Sequence, residues 1–532
     1  MITPVARPET FTDEERRTLA PYFTNADRHV FALTNLPETV KGALFARYSR
    51  SAKSLRRLFL DEFAGSLTGA PAGSADVGVA RAEKLYAKVF NEYGDDSVAQ
   101  LGGAHVACEY VSNILTKILE WGRLMAYLEQ STRYVPYTDR LHGRWRYHVP
   151  AEVQGALREQ YVAVMDRTFE TYASMIEPMQ RHFAVRYPRA AQDSEGVHRA
   201  AVRAKALDTL RGMLPAATQS NVGLYGTGQA YEALLLRMQA HPLDEVRACG
   251  AQMLEELRKI IPAFLTRVDQ QERGGRWSEY LASTRDGVHW MAQQILAGVD
   301  VEPQEEVTLT DFDPDGELKI VAAALYAATD LSDAQLQAAA SRMTIDERTA
   351  VLRAYIGDRG NRRHRPGRAF ERTSYRFDVL TDYGAFRDLQ RHRLLTLEWQ
   401  PLSTRHGYSE PDALREAGVV REWTQVMEAS AELHESLRSA GLDAAAPYAV
   451  SMAYRVRFYM EMNAREAMHV IELRTAPQGH PAYRRVCQRM HKLIADRAGH
   501  RAIAAAIKFA DHSEVELERL KAERELEKKR TR

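Results

Sequence analysis

The chain has 532 residues, 45% of them hydrophobic, and a formal net charge of +1 because 72 basic residues almost cancel 71 acidic ones. This length predicts more than one domain, and the charge balance argues against a general binder of nucleic acids or membrane surfaces. Three scattered cysteines without a C-x-x-C pair exclude a disulfide framework, and the N-terminus lacks a secretory signal, so we expect a cytoplasmic protein.

Most of the first half has apolar residues at three- and four-residue spacing, which is typical of amphipathic helices. This spacing predicts helices over residues 38–63, 98–131, 152–180 and 234–258. Residues 296–304 have little periodicity and contain Gly298 and Pro303. We therefore expect a domain boundary there.

Strand candidates are few and lie in the second half. Val307-Thr-Leu-Thr310 and the segment from Ser374 to Leu380 alternate in polarity, as strands do. The Asp-rich segment from Asp311 resembles the start of a calcium loop, but the position that should supply two carboxylate oxygens is Ala322. We interpret this segment as a turn before a helix. The 17 histidines have no ligand spacing, so no metal site is predicted.

The two halves share a sequence pattern. Arg391-His-Arg393 is followed by Ser403-Thr-Arg405, and Trp121-Gly-Arg123 is followed by Ser131-Thr-Arg133. Further on, residues 234–242 and 470–481 each carry an arginine and then a His-Pro pair. Matches in the same order predict two diverged copies of one domain. We place these domains at residues 1–298 and 305–510, followed by a charged helical tail at 511–532.

Arginines are concentrated at two places in the second half. Guanidinium groups bind phosphate oxygens through paired hydrogen bonds, so Arg391 and Arg393 are candidates for an anion site. Surface ion pairs are the usual alternative, and the apolar neighbours of these arginines, which suggest partial burial, leave both interpretations open. Residues 452–474 are interpreted as a buried helix that carries Arg465, His469 and Glu472 on one face. There an internal ladder of ion pairs is the favoured alternative to a site.

At these positions the chain resembles the flavin-dependent thymidylate synthases, whose signature is Arg-His-Arg, seven residues, then Ser-x-Arg-Tyr. The second half has Arg-His-Arg intact but nine residues before Ser403. The first half keeps the seven-residue spacing from Arg123 to Ser131 and continues to Tyr134. The segment from Phe370 to Val379 is similar to the family's Glu-His-x-x-Phe-x-Phe, and residues 463–480 are similar to its late helix and the histidine beyond it.

The resemblance implies an α+β fold of two tandem helix-rich domains, each with a small, mainly antiparallel sheet, the first copy being more helical. It implies C5 methylation of deoxyuridine monophosphate (dUMP) or a related pyrimidine nucleotide. Methylenetetrahydrofolate would be the carbon donor, FAD the cofactor and NADPH the reductant. It also implies a homodimer that resembles the family's homotetramer, with no membrane or nucleic-acid partner expected.

The resemblance also assigns roles to particular residues. By this resemblance, the flavin would contact Arg391, His392, Arg393 and Arg372. The nucleotide would contact Glu129, Ser131, Arg133, Ser403 and Arg405. The catalytic arginines would be Arg465 and Arg474. Sites could be composite, with the first half supplying residues 129–133 and the second supplying residues 391–393.

Several positions depart from the family pattern. Arg372 replaces the flavin-contacting histidine, Asp388 replaces a glutamine, Glu472 replaces an asparagine, and Gly228 stands where the first copy should have an arginine. A carboxylate in an anion pocket opposes phosphate binding unless arginine pairs with it. Two alternatives to methylation therefore stay open: a catalytically inactive duplicate that binds a nucleotide or flavin or acts as a scaffold, and a different flavin chemistry on the same fold.

Overall fold

The computed structural model describes residues 9–49, 51–67, 100–133 and 135–530. Within these ranges the α-helices are α1 (Asp13–Leu19), α2 (Glu38–Tyr48), α3 (Leu55–Glu62), α4 (Ala64–Leu67), α5 (Asn113–Leu119), α6 (Gly155–Arg186), α7 (Glu195–Leu210), α8 (Gly228–Gln239), α9 (Asp244–Arg258), α10 (Arg276–Ile295), α11 (Gly316–Leu325), α12 (Asp333–Arg342), α13 (Ile345–Ile356), α14 (Tyr383–Leu389), α15 (Asp412–Glu416), α16 (Val420–Ser439), α17 (Ala464–Arg474), α18 (Pro481–Asp496), α19 (Arg501–Ala506) and α20 (Leu520–Arg530). The strands are β1 (Gly103–Ser112), β2 (Met125–Glu129), β3 (Gln219–Thr227), β4 (Val307–Phe312), β5 (Ser374–Asp382), β6 (Thr396–Trp399) and β7 (Arg455–Asn463). Among these helices none is long and apolar enough to cross a membrane.

The chain forms two compact units that interleave along the sequence. Unit 1 comprises the described parts of Met1–Glu109, together with Ile118–Glu129 and Asn221–Val299. Unit 2 comprises Tyr110–Lys117, Gln130–Ser220 and Asp300–Arg532. Unit 2 therefore contains residues from both predicted copies. The division into domains at residues 1–298, 305–510 and 511–532 stays a prediction.

Unit 1 is built on a three-stranded sheet in the order β1-β3-β2. β2 pairs antiparallel with β3, from Met125 opposite Gly226 to Glu129 opposite Val222. Helix α8 follows β3 directly. The Thr227 hydroxyl accepts a hydrogen bond from Ala230 N at 3.3 Å, which satisfies one of the free amides of the first turn.

Unit 2 contains a four-stranded antiparallel sheet in the order β4-β5-β7-β6. Alternate residues of the two central strands are buried, as the two-residue period of a strand requires: Tyr375, Phe377, Val379, Val456, Phe458, Met460 and Met462. Both strands run directly into helices whose first turns are capped by side chains. Asp382 Oδ1 accepts from Ala385 N at 2.8 Å before α14, and Asn463 Oδ1 accepts from Glu466 N at 2.9 Å before α17.

Much of the predicted secondary structure is confirmed. Strands β4 and β5 cover both predicted strands, and α6 covers most of the predicted helix at 152–180. The predicted helices at 38–63 and 234–258 are each split in two, α2 and α3 in the first case and α8 and α9 in the second. The Asp-rich turn is followed by α11, and helix α20 lies in the charged tail. A small sheet in each part of the chain is also confirmed.

Two helix predictions are wrong. The described part of residues 98–131 holds β1, the seven-residue helix α5 and β2, while residues 98 and 99 lie outside the described ranges. The β2 sequence MAYLE consists mainly of helix formers, but pairing with β3 overrides that propensity. Similarly, residues 455–463 of the predicted helix at 452–474 form strand β7, because Val456, Phe458, Met460 and Met462 alternate with more polar residues and are buried on one face.

Candidate functional site

A buried carboxylate at the end of α14 collects guanidinium groups from four parts of unit 2. Asp388, whose side chain is 12% exposed, pairs with Arg391 three residues later. Arg211 Nη1 lies 3.5 Å from its Oδ2, and Arg474 Nη1 lies 3.7 Å from its Oδ1. We call these residues, together with Arg133 and Asp208, the Asp388 cluster.

The fourth cation of the Asp388 cluster comes from the first signature. Arg133 forms a two-pronged ion pair with Asp208 of α7, with Nε–Oδ1 at 2.8 Å and Nη2–Oδ2 at 2.6 Å. Its Nη1 donates to the Tyr483 hydroxyl at 3.1 Å, and the Arg474 guanidinium carbon lies 5.5 Å from the centre of the same ring. Tyr483 therefore links Arg133 from the first half of the sequence to Arg474 at the end of α17 in the second half.

Electrostatics in the Asp388 cluster strongly favour the ionised carboxylate. Burial alone would raise the pKa of Asp388, but the four guanidinium groups of Arg391, Arg211, Arg474 and Arg133 outweigh burial and hold this pKa well below its usual range. Burial would likewise lower the pKa of Arg133, and the carboxylate of Asp208 reverses that effect. His480, which caps α18, has its pKa lowered by burial and by Arg211 and Arg133, so this imidazole is neutral.

A second group of polar side chains lies beside the first and shares Arg474 with it. Arg474 Nε donates to His392 Nε2 at 2.8 Å, and Arg365 Nη2 lies 2.8 Å from His469 Nδ1. The His392 and His469 rings meet edge to face with 5.5 Å between their centres. His392 Nδ1 is 3.6 Å from Glu466 Oε1. We call these five residues the His392 cluster.

The hydrogen bonds fix where the imidazole protons of the His392 cluster lie. A guanidinium group can only donate, so His392 Nε2 and His469 Nδ1 are both acceptors. Burial and the nearby arginines lower the pKa of His392, and burial with Arg365 and Arg362 lowers that of His469 to about 4, so both rings are neutral. Each ring therefore carries its proton on the other nitrogen and offers an N–H donor.

Three atoms of the His392 cluster are close enough to hold a metal ion, but their chemistry opposes it. One ligand atom from each of His392, Glu466 and His469 lies within 4.8 Å of the others. A metal ion binds the in-plane lone pair of a neutral imidazole, and on each ring an arginine already donates a hydrogen bond to that lone pair. Several guanidinium groups nearby also disfavour a dication. The donors suit an anion better.

Glu466 is the titratable group of the His392 cluster. Its side chain is 5% exposed, and burial raises its pKa to about 7 although Arg365, Arg465 and Arg393 act in the opposite direction. Near neutral pH this carboxyl group is therefore divided between its two protonation states. When it is ionised, it attracts the Nδ1–H group of His392 at 3.6 Å, and Nε2 of the same ring accepts the hydrogen bond from Arg474.

The predicted site residues divide into two groups. Arg133, Arg391, His392 and Arg474 come together in the two clusters, and exposed Arg393 lies close enough to Glu466 to affect its pKa. The Ser131 hydroxyl accepts from Arg133 N at 3.3 Å. Arg465 instead donates to Pro366 O and pairs with Glu371 at 3.2 Å.

The remaining predicted residues lie elsewhere. Arg372 lines a depression of about 280 Å³ with Asp311, Asp313 and Glu461. Ser403 and Arg405 lie in the loop between β6 and α15, where Arg405 is exposed and close to His434. Glu129 ends β2 in unit 1, and Tyr134 lies outside the described residues. Arg465, His469 and Glu472 pair with Glu371, Arg365 and Arg359, all in the segment before β5. Contacts of the kind that the ion-pair alternative predicted are therefore present, although they join α17 to this segment and not to another α-helix.

Sequence reasoning missed several members of both clusters. Asp208 and Arg211 follow one another on α7 and the turn after it, and no local motif marks them. Arg365 ends the basic run Arg362-Arg-His-Arg365, which could have suggested an anion site. Glu466 lies next to the predicted Arg465, but the predicted helix over 452–474 hid its position in the first turn of α17.

The chain is similar over most of its length to three UPF0159 proteins. It is 37% identical over 522 residues to a UPF0159 protein of Chlamydia muridarum, a match that covers 96% of this chain and 98% of that protein. Identity is 34% over 526 residues with a UPF0159 protein of Chlamydia pneumoniae, covering 98% of both chains. It is 30% over 515 residues with one of Thermoplasma acidophilum, covering 91% and 97%.

Comparison with solved structures gives a partial likeness. A crystal structure of a UMP/dUMP methylase PolB from Streptomyces cacaoi, bound with 5-Br dUMP, matches with 22% identity and a TM-score of 0.30. That match covers 40% of this chain and 100% of the methylase chain.

A family model matches the chain in two segments that together span most of its length. Its description is Thy1, thymidylate synthase complementing protein, and the matched residues are 44–263 and 308–498. The first segment contains the signature that ends at Arg133, and the second contains Arg391-His392-Arg393 and the late helix. The chain therefore belongs to the Thy1 family, the flavin-dependent thymidylate synthase family that its signature resembles.

Proposed function

We propose that the chain methylates C5 of dUMP or a related pyrimidine nucleotide in a flavin-dependent reaction, at one site composed from both halves of the sequence. Methylenetetrahydrofolate would supply the carbon and leave as tetrahydrofolate, and NADPH would supply the reducing equivalents. The observation that carries this proposal is the convergence of Arg133 from the first signature with Arg391, His392 and Arg474 from the second. Neither half contains this set alone.

The nucleotide would bind at the Asp388 cluster. The guanidinium forks of Arg133 and Arg391 suit phosphate oxygens, which accept two parallel hydrogen bonds. Arg474 would contact the pyrimidine, because a fixed positive group beside a ring carbonyl stabilises the negative charge that develops as C5 reacts. His392 holds the Arg474 guanidinium at 2.8 Å and so limits its orientation.

The flavin would bind beside the nucleotide at the His392 cluster. The donor set fits FAD: the neutral imidazole of His469, whose Nε2 carries the proton, and the guanidinium groups of Arg365 and Arg393 suit a ligand with a diphosphate and a carbonyl-rich ring. When bound, reduced FAD supplies the hydride for the reaction. The residues of this chain would bind and orient it.

One observation favours a second candidate function, a nucleotide-binding or scaffold protein without catalysis. Asp388 lies among four guanidinium groups where a nucleotide phosphate would otherwise neutralise them. Asp208 similarly satisfies Arg133. An incoming phosphate must compete with both carboxylates, which weakens binding.

Binding and turnover measured on the same full-length protein test the proposal. We expect FAD and dUMP to bind together and dUMP to be converted to thymidylate when methylenetetrahydrofolate and NADPH are present. Arg133→Lys keeps a positive charge beside Asp208 but loses the fork, so dUMP binding should weaken about tenfold or more. The matched control is Arg140→Lys, since Arg140 forms an exposed pair with Glu170.

The outcomes separate the two candidates. Binding of both ligands with thymidylate formation supports the methylase. Binding of dUMP or FAD without product supports the second candidate. If Arg133→Lys and Arg140→Lys bind dUMP equally well, the composite site is wrong whichever activity is found.

A further inference from the structure

Helix α10 in unit 1 carries an apolar face that the fold leaves exposed. With about 3.6 residues per turn, one face of this helix holds Trp277, Tyr280, Leu281, Thr284, Val288, Met291 and Ile295. Five of these side chains are largely exposed: Trp277 at 53%, Tyr280 at 64%, Val288 at 66%, Met291 at 44% and Ile295 at 67%. We call these seven residues the α10 stripe.

A different flank attaches α10 to the rest of unit 1. The Ser278 hydroxyl donates to Leu236 O at 3.3 Å and to Gln239 Oε1 at 3.0 Å, and Arg285 Nη1 donates to Ala240 O. Ser278 and Arg285 are two turns apart and so lie on the same flank. None of the residues of α10 is buried. The anchored flank is therefore polar, while the apolar stripe points to solvent.

The size of the stripe indicates an interface. Two aromatic and three aliphatic side chains at these exposures present on the order of 500 Å² of apolar surface, near the upper limit for a monomeric protein. Two such surfaces facing each other would bury on the order of 1,000 Å², which is where specific interfaces begin. A smaller apolar ligand would leave most of the stripe uncovered.

We propose that the stripe binds the same stripe of a second copy of this chain, with the two α10 helices antiparallel. The stripe is complementary to itself in this orientation. Its large ends, Trp277 and Ile295, would lie opposite each other, and its smaller central residues, Thr284 and Val288, would meet near the two-fold axis. The charged residues Glu279 and Asp286 fall on the opposite side of the helix, so the pairing brings no like charges together.

Helix α10 lies in the sequence between the two segments that the family model matches. The family model matches residues 44–263 and 308–498, and α10 (Arg276–Ile295) lies between them. The surface therefore belongs to a segment that the family model does not include. The proposal does not depend on the methylase activity proposed above.

Sedimentation velocity of the full-length protein tests this dimer. At about 10 µM chain, above the micromolar Kd that an interface of this size supports, we expect twice the chain mass of 60.2 kDa. Val288→Glu should raise the Kd at least a hundredfold and give monomers, since each copy would bury a charge. The matched control is Trp290→Glu, because Trp290 is 58% exposed but lies off the stripe. That variant should stay dimeric.

Three results would overturn the proposal: a monomeric wild-type protein, a Val288→Glu variant that stays dimeric, or dissociation caused equally by Trp290→Glu. Cross-linking gives a second test that needs no destabilising charge. Chains with Trp277→Cys and chains with Ile295→Cys are mixed and treated with a short bismaleimide. Antiparallel helices predict cross-links between the two variants, and cross-links confined to like variants would contradict the proposed orientation.

Discussion

Replacing Asp388 by asparagine removes the carboxylate on which the arginines of the Asp388 cluster converge. Its side chain is 12% exposed, one arginine is in direct contact, and two more lie at 3.5 and 3.7 Å. At such distances each pair attracts by about 4 kcal/mol in a partly screened environment, and desolvation of the ions offsets much of this. Breaking a buried ion pair from one side costs about 3–5 kcal/mol, and we expect Asp388→Asn to fall in this range.

An added anion should restore part of the stability lost in Asp388→Asn. Inorganic phosphate or dUMP can replace the missing charge, and a ligand at a hundred times its Kd stabilises the folded state by about 2.7 kcal/mol. Because the pKa of Asp388 is lowered, its contribution to stability is present above the pKa of an unfolded aspartate and is lost only as the pH falls below about 4. The difference between variant and wild type should therefore be constant from about pH 5 to pH 8.

Urea unfolding followed by tryptophan fluorescence, with and without phosphate, measures this effect. The control is Asp139→Asn, since Asp139 is 63% exposed and its pair with Arg146 should contribute less than about 1 kcal/mol. The reasoning is refuted if Asp388→Asn unfolds within about 1 kcal/mol of the wild type and does not respond to phosphate.

Two further predictions concern buried carboxyl groups. Since the pKa of Glu466 is raised to about 7, its stabilising contribution is present at low pH and is lost as the pH rises from about 4.5 through 7. Relative to Glu466→Gln, the wild type should lose about 3 kcal/mol of unfolding free energy over that range, and thermal-melting profiles that stay parallel for the two proteins would contradict this. Arg359 and Glu472, each 1% exposed, form a two-pronged ion pair, so Arg359→Met should lower the free energy of unfolding by about 3–5 kcal/mol. The control is Arg368→Met: Arg368 is 86% exposed and pairs with Glu371, so this change should alter the free energy of unfolding by less than about 0.5 kcal/mol. Equal effects of the two changes in urea unfolding would show that burial does not decide the cost.

The sequence predicted those parts of the fold whose local pattern agrees with their tertiary setting. Strands β4 and β5 alternate clearly, and α6 has a long apolar repeat. The family resemblance implied a sheet in the first half, but the local pattern did not locate its strands, because β2 is made of helix formers and β3 contains glycines. One of these glycines, Gly226, serves close packing, because a Cβ atom there would lie 2.9 Å from the Met125 side chain. Such contacts cannot be seen in a single segment.

The candidate site was predictable only where a motif carries it. Arg391, His392 and Arg133 follow from the signature, but Asp208 and Arg211 join them through tertiary packing alone. The same limit applies to Cys108 and Cys249, which are far apart in sequence, although in unit 1 the Cys249 thiol donates a hydrogen bond to Cys108 and lowers its pKa. Long-range neighbours of this kind require the three-dimensional structure.

We propose that the Asp388 and His392 clusters form one site for a nucleotide and a flavin. The most direct test is the visible absorbance of the purified full-length protein, titrated first with FAD and then with dUMP. We predict a bound-flavin spectrum that shifts when dUMP is added, because both ligands would share Arg474 and the residues around it. A protein that binds no FAD, or a flavin spectrum unchanged by saturating dUMP, would contradict the claim.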